Sequence, residues 1–361
     1  MLQWILKRLK PFNLPLFFQT KKPINLNNRI LKDKIIGLLK IVIPLGLGIF
    51  LIWYFLRSLT EQDKVDIVTS FKAANYGWIL FSLIFAILSH VSRAYRWSYT
   101  LKPLGYKPKF LNNFFAVMIG YLVNLAIPRL GELTRCGVMT KYEKIPFEKL
   151  LGTVIGERIA DFIILILFTV TIVFIQLDVI GEMLTDMVVM VEDKISVNLV
   201  LALLGIMVLG VIGLFVLFFN KSIQHPVLTK VREFVYGLFI GVKSIWTMNE
   251  KWAFLGHTIF IWVMYVLMFY LCFFSLPETA NVPFGGVLTA FVMGGFAVVF
   301  TNGGLGAYPI MIYTVLLLYG IDKNTGAAFG WIVWSAQTLL LLLLGAISFV
   351  LMPLYNKHLE N

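Results

Sequence analysis

PRLGELTR, Pro128 to Arg135, and GERIAD, Gly156 to Asp161, place six ionisable side chains at the edge of, or inside, long apolar runs: Arg129, Glu132, Arg135, Glu157, Arg158 and Asp161. A charge in hydrocarbon costs at least ~2.5–3.5 kcal/mol even on the lenient insertion scales. A chain keeps such residues only where they pair, face water or act on a substrate. The two clusters are therefore the candidate site, and the apolar runs around them decide the fold.

Of the 361 residues, 59% are hydrophobic and 14% charged, against ~25% charged in an average soluble domain. Six runs reach the ~20 residues needed to span hydrocarbon: 35–56, 76–97, 150–175, 196–219, 252–274 and 327–352. The fold class is an all-α polytopic membrane protein. A β-barrel is excluded, because the runs are continuous rather than alternating. The net charge of +12 does not imply nucleic acid. Eight Lys/Arg fall in the first 34 residues and most others in loops on one side, a pattern of topology and anionic-lipid attraction. Cys136 and Cys272 form no disulfide framework, and His90, His225, His257 and His358 show no HExxH spacing, so neither a metal site nor a cofactor is expected. The opening MLQWILKRLKPF has no small-residue cleavage site. It reads as a basic amphipathic arm lying on the membrane, with Trp4, Ile5 and Leu9 in the interface.

Loop charges orient the spans. Residues 1–34 hold eight Lys/Arg and one acid; 93–110 hold five basic residues and no acid; 220–251 hold five basic residues and two acids. These segments are cytoplasmic by the Lys/Arg rule. Segments 57–77, with three charges of each sign, and 176–197, with five acids and one Lys, are then outside. The scheme closes if 111–149 returns to the cytoplasmic side and 284–319 to the outer side. Arms 284–300 and 305–319 are about 25 and 22 Å long as helix, short of the ~30 Å core. Six full spans plus two re-entrant or short helical hairpins follow, although two pairs of short full spans would give the same loop sides. The order span, span, hairpin, span occurs twice, over 35–175 and 196–352, with the second copy inverted. This is the plan of secondary transporters whose broken helices meet at a midplane site. The domain division is an arm at 1–34, one transmembrane domain at 35–352 and a short cytoplasmic tail at 353–361.

In the first cluster, Pro128 and Gly131 suit a turn. A helix beginning near Gly131 puts Glu132 and Arg135 on one face, and Arg129 adds a fork suited to phosphate. The cluster binds an anionic headgroup, or Glu132 and Arg135 pair to pin the hairpin. In the second, Glu157 and Asp161 share a helix face and Arg158 reaches Asp161 at i, i+3. The carboxylates hold a proton, bind a cation, or pair with arginines of the first cluster. TNGGLGAYP, Thr301 to Pro309, lies at the tip of the second hairpin. Asn302, Gly303, Gly304, Gly306 and Tyr308 offer backbone N–H groups and polar handles to an anion, or pack helices closely through small residues. Arg93 and Arg96, with Trp97, close the second span. They read as snorkelling side chains and a belt anchor, or as a headgroup contact at the entrance.

RAYRW (Arg93 to Trp97), IPRLGELTR, GERIAD and NGGLGAYP, in this order, resemble the transmembrane, flippase-like domain of bacterial lysylphosphatidylglycerol synthases, which also occurs as stand-alone membrane proteins. The resemblance covers nearly the whole chain after the arm. It implies translocation of a phospholipid or lipid-linked molecule in the bacterial cytoplasmic (inner) membrane. It places Arg129, Glu132, Arg135, Glu157, Arg158, Asp161 and the Gly303–Gly306 turn at the family's characteristic positions. The synthases carry a soluble aminoacyl-transferring domain after this region, whereas here the sequence ends at Asn361, so lysyl transfer is not implied. The expected partners are the membrane, an anionic phospholipid or lipid-linked substrate, and a separate soluble lipid-modifying enzyme if the chain acts as its platform. An intramembrane lipid transferase with Glu157 or Asp161 as general base is the competing enzyme reading. No Walker or dinucleotide motif is present, so any driving force would come from a gradient or from downhill lipid flow.

Overall fold

The long apolar runs become helices here, with Pro309 tolerated in the first turn of one and Pro353 near the end of another, and prolines and glycines set most of the breaks between them. The computed structural model describes residues 49–176 and 245–357, together with Gly46 and Thr229. After helical residues 49–57, the elements are α1 (Glu61–Ala73), α2 (Tyr76–Leu101), α3 (Phe110–Ala126), α4 (Leu130–Glu143), α5 (Phe147–Ile175), α6 (Lys251–Cys272), α7 (Phe284–Phe300), α8 (Ala307–Leu317) and α9 (Lys323–Tyr355). Pro146 and Pro283 precede the first residues of α5 and α7. There their missing N–H is no loss. Asn75 caps α2 by accepting from the Gly77 N–H, and Asp322 caps α9 by accepting from the Asn324 and Thr325 N–H groups, the role that short polar side chains fill at helix starts.

Among the described residues, four helices are long and apolar enough to cross a membrane: Tyr76–Leu104 (including a closing 3₁₀ turn), Phe147–Ile175, Lys251–Ser275 and Lys323–Tyr355. They carry the expected spans 76–97, 150–175, 252–274 and 327–352. Span 196–219, the arm at 1–34, most of 35–56 and of the basic loop 220–251, and the end of the tail lie outside the described residues. The two ambiguous stretches are helical hairpins with short arms: 17 and 14 residues for α3 and α4, 17 and 11 for α7 and α8. At 1.5 Å per residue, every arm falls short of the ~30 Å core.

Segment 57–77, read from sequence as an outer loop, contains α1. Its start is a reciprocal capping box: the Thr60 hydroxyl accepts from the Asp63 N–H, while the Asp63 carboxylate accepts from the Thr60 N–H at 2.8 Å. Asn324, at the head of α9, donates to Asp63 at 2.8 Å and to Asp66 at 3.2 Å, tying α1 to that helix. The Asn324 amide and the Thr60 donors hold the Asp63 carboxyl down at about 2. Because the folded-state value is depressed, this tie is fully present above the ordinary carboxylate range and is lost as pH falls towards 2. We expect hydrogen-exchange protection along 61–73, taken relative to the intrinsic rate at each pH, to fall between about pH 4 and 2 in wild type. In Asn324→Ala that acid-dependent step should shrink.

α2 packs chiefly against α6, α3 against α4, and α9 against both α8 and α3. Small residues let the backbones approach, since helices in lipid associate through close packing and not through a hydrophobic gain. A Cβ on Gly330 would meet the Pro309 Cα at 2.7 Å, and one on Gly326 the Tyr313 Cβ at 2.9 Å, so α9 presents a glycine face to α8. One turn after another further along, Gly345 does the same for α3, where a Cβ would meet the Leu122 Cβ at 2.6 Å. One core gathers α7, α8 and α9 with Phe269 and Phe273 of the α6 end. A second joins α2, α3, α4 and α5 through Trp97, Met118, Met139 and Leu150. The candidate site lies beside this second core.

Candidate functional site

Three helices supply the ionisable side chains of the network, two of them at helical spacing. α2 presents Arg93, Arg96 and Trp97; α5 presents Glu157 and Asp161 one turn apart; α4 presents Arg135. They meet inside the bundle. Arg96 spreads its guanidinium over Asp161, with Nη1 to Oδ1 at 2.6 Å and Nη2 to Oδ2 at 3.1 Å. Arg93 reaches the same carboxylate at 2.7 Å and donates its other arm to the Tyr265 hydroxyl at 3.2 Å. Arg96 also donates to Thr258 on α6 and lies 3.5 Å from Glu157. Arg135 donates to Glu157 at 2.6 Å. Glu157 and Arg96 are fully buried; the Arg93 and Arg135 side chains are each 4% exposed. Charges this deep persist because each has an opposite partner within hydrogen-bond reach.

Of the two readings of the first cluster, the Glu132–Arg135 pair does not form. Arg135 turns instead to Glu157 on the neighbouring helix, and Glu132 accepts from the Asn124 amide at 3.3 Å. Asn124 also accepts from the Gly131 N–H at 2.7 Å, which closes the α3–α4 turn. Of the options for the second cluster, the carboxylates pair with arginines, but only Glu157 takes one from the first cluster; Asp161 draws both of its strong partners from α2. Arg158 stands 4.0 Å from Asp161, with a side chain 40% exposed. Arg129 adopts a left-handed conformation at the hairpin tip and stays exposed.

Snorkelling does not describe Arg93, Arg96 and Trp97. α2 continues four residues past the apolar window to Leu101 and then into the 3₁₀ turn Lys102–Leu104. These side chains therefore sit about a turn deeper than the span end suggested. Trp97 is fully buried, stacked under the Arg135 guanidinium at 3.6 Å from ring centroid to Cζ. Its Nε1–H donates to Thr153 at 2.9 Å. Sequence reasoning noticed this segment but not its partners. The signal was the match of spacings: Arg93, Arg96 and Trp97 at i, i+3, i+4 against Glu157 and Asp161 at i, i+4. Tyr265, Thr258 and Asn124 carried no comparable signal within their apolar runs.

Arg135 and Arg158 share a cleft with Gly120, Tyr121, Asn124 and Glu132. Its volume is about 10 Å³, room for roughly one water. The second hairpin's tip reaches the rim. The Asn302 amide donates to the Leu125 carbonyl at 3.2 Å, next to Asn124 in sequence, and Trp334 donates to the Gly303 carbonyl at 2.8 Å. Gly303, Gly304 and Gly306 all have positive φ, at 62°, 82° and 71°, which only glycine adopts freely. Tyr308 is buried against α7, where a Cβ on Gly294 would meet its ring at 2.7 Å, so it is a packing group in this arrangement.

Among the described residues, a bundle of helices, four of them of spanning length, around a buried ion network defines a multi-pass membrane protein. The family model for the lysylphosphatidylglycerol synthase TM region matches residues 41–345; the chain belongs to that family. It is also similar to the UPF0104 membrane protein MJ1595 of Methanocaldococcus jannaschii, with 32% identity over 102 residues, 27% of this chain and 30% of that protein's length. No solved structure matches it.

Proposed function

We propose that this chain translocates an anionic phospholipid or lipid-linked molecule, holding its phosphate between Arg135 and Arg158. The observation that carries this reading is the charge balance around the cleft. Four guanidinium groups, Arg93, Arg96, Arg135 and Arg158, face two network carboxylates, Glu157 and Asp161. Glu132 on the cleft wall leaves four cations against three anions. Arg158, the most exposed of the four and the most weakly paired, is free to take an incoming anion. Paired arginine forks suit phosphate oxygens. A cleft of about 10 Å³ is too small for a headgroup, so passage requires the two hairpins to part at the Asn302–Leu125 contact. A separate, mostly apolar groove of about 480 Å³ lies between α2 and α6, walled by Leu88, Val91, Tyr95, Ala253 and Phe260 with Ser92 and His257, and on this reading it takes the lipid tails.

The same reading takes the two hairpins as equivalent parts of inverted repeats, with short helices ending near the midplane. It takes both termini as cytoplasmic in a bacterial inner membrane, as the Lys/Arg distribution supports. The family is that of a lipid-enzyme membrane region, which fits a lipid substrate. Reconstituted into liposomes, wild type should move fluorescent phosphatidylglycerol between leaflets. Arg158→Ala should slow this by about tenfold or more, the worth of a hydrogen bond to a charged group, with Arg158→Lys between the two. Equal rates for wild type and Arg158→Ala would refute the assigned role.

A further inference from the structure

We propose that Trp97 is a positioning residue for the headgroup cleft: its indole face, anchored through Thr153, fixes the plane of Arg135 so that the free edge of the guanidinium faces the incoming phosphate. This rests on the translocator reading above and names a residue that reading does not use. A guanidinium has five N–H donors in one plane. Arg135 commits one arm, Nη2, to Glu157 at 2.6 Å. Its Nε–H is buried and has no hydrogen-bond partner. A buried donor left unmade is costly, and a group held by one bond could swing about that bond to satisfy it. The Trp97 ring prevents the swing by covering the guanidinium face at 3.6 Å, a desolvated cation–π contact.

The ring is itself held. Trp97 is fully buried, and its Nε1–H donates to the Thr153 hydroxyl, whose own proton goes to the Leu150 carbonyl at 2.7 Å. Thr153 and Glu157 lie four apart on α5, hence on one face. One helix face therefore fixes Arg135 twice, directly through Glu157 and through the indole. Nη1 is not used in the Glu157 bond, and Arg135 lines the cleft together with Arg158, so on this proposal the Nη1 edge is the one offered to phosphate.

The test is titration of the detergent-solubilised full chain with short-chain phosphatidylglycerol, and separately with short-chain diacylglycerol, which has the tails but no phosphate. Trp97→Leu should weaken phosphatidylglycerol binding by about 30-fold, the worth of a desolvated cation–π contact, and leave diacylglycerol unchanged. Trp97→Phe keeps a ring face and should restore most of the affinity. Combining Trp97→Leu with Arg135→Leu should cost no more than Arg135→Leu alone, because the indole acts only through that arginine. The inference fails if Trp97→Leu binds like wild type, weakens both lipids alike, or adds its full effect to Arg135→Leu. Should Trp97→Leu not fold, Thr153→Val releases the indole without removing it; a loss confined to phosphatidylglycerol supports the inference and no change overturns it. Arg158→Ala run beside these separates the two claims. If it binds normally, the cleft is not a headgroup site; if it is weakened while Trp97→Leu is not, only the positioning role falls.

Discussion

Asp161→Asn should destabilise the protein by about 3–5 kcal/mol, the usual cost of removing one partner from a buried ion pair. Two guanidinium groups depend on this carboxylate: Arg93 at 2.7 Å and Arg96 at 2.6 Å. Arg96 keeps second partners in Glu157 and Thr258, whereas Arg93 keeps only the neutral Tyr265 hydroxyl. Most of the penalty therefore falls on Arg93, which would be left as a buried cation without a counter-charge. Cys136 and Cys272 are both free and buried, so reaction with a thiol-specific fluorophore during heating in detergent reports unfolding. The labelling midpoint should drop sharply in Asp161→Asn and recover in part in Asp161→Asn with Arg93→Met, which removes the stranded charge together with its partner. An unchanged midpoint would show that Asp161 does not hold the helices together.

This network also marks how far the residues could be read before the fold was in view. Span-length helices depend only on the length and hydropathy of a run, so α2, α5, α6 and α9 were legible. The hairpins followed from arms too short for the hydrocarbon core, and the ionisable clusters from the cost of charge in lipid. Partner choice was not legible. Glu132 lies three residues from Arg135 and looked like its counter-ion; Glu157, 22 residues away, takes it because α4 packs on α5. No periodicity in either segment encodes that packing. The depth of Arg93 and Arg96 was misjudged for a simpler reason: the apolar window ends before the helix does, so two buried side chains looked like an interfacial pair. The miss at α1 was avoidable. Thr60 and Asp63 form a capping box by spacing alone, but a segment of balanced charge between two spans reads as a loop.

Gly131→Ala should be the most damaging single-methyl change in the hairpin, although alanine is the better helix former by about 1 kcal/mol. A Cβ at this position would run into the Gly120 carbonyl oxygen and the Asn124 side chain. Backbone cannot swing aside as a rotamer can, so α3 and α4 must separate or tilt, at the upper end of the ~1–3 kcal/mol typical of overpacking or beyond it. The displacement reaches the site directly: Asn124 accepts from the Gly131 N–H and donates to Glu132, and Gly120, Asn124, Glu132 and Arg135 all line the cleft. Gly152 on α5 is the matched control, since a Cβ there has nothing within 4 Å; Gly152→Ala should be neutral or stabilising by about 0.5–1 kcal/mol. Comparing thiol-labelling midpoints for the two variants separates helix propensity, which both share, from backbone contact, which only Gly131 has. If the two changes have the same effect, the close approach of α3 and α4 at Gly120 and Gly131 is not what shapes the cleft. If Gly131→Ala lowers the midpoint and also slows phosphatidylglycerol translocation in the fraction that stays folded, the closed hairpin turn is what sets the spacing of Arg135, Glu132 and Arg158.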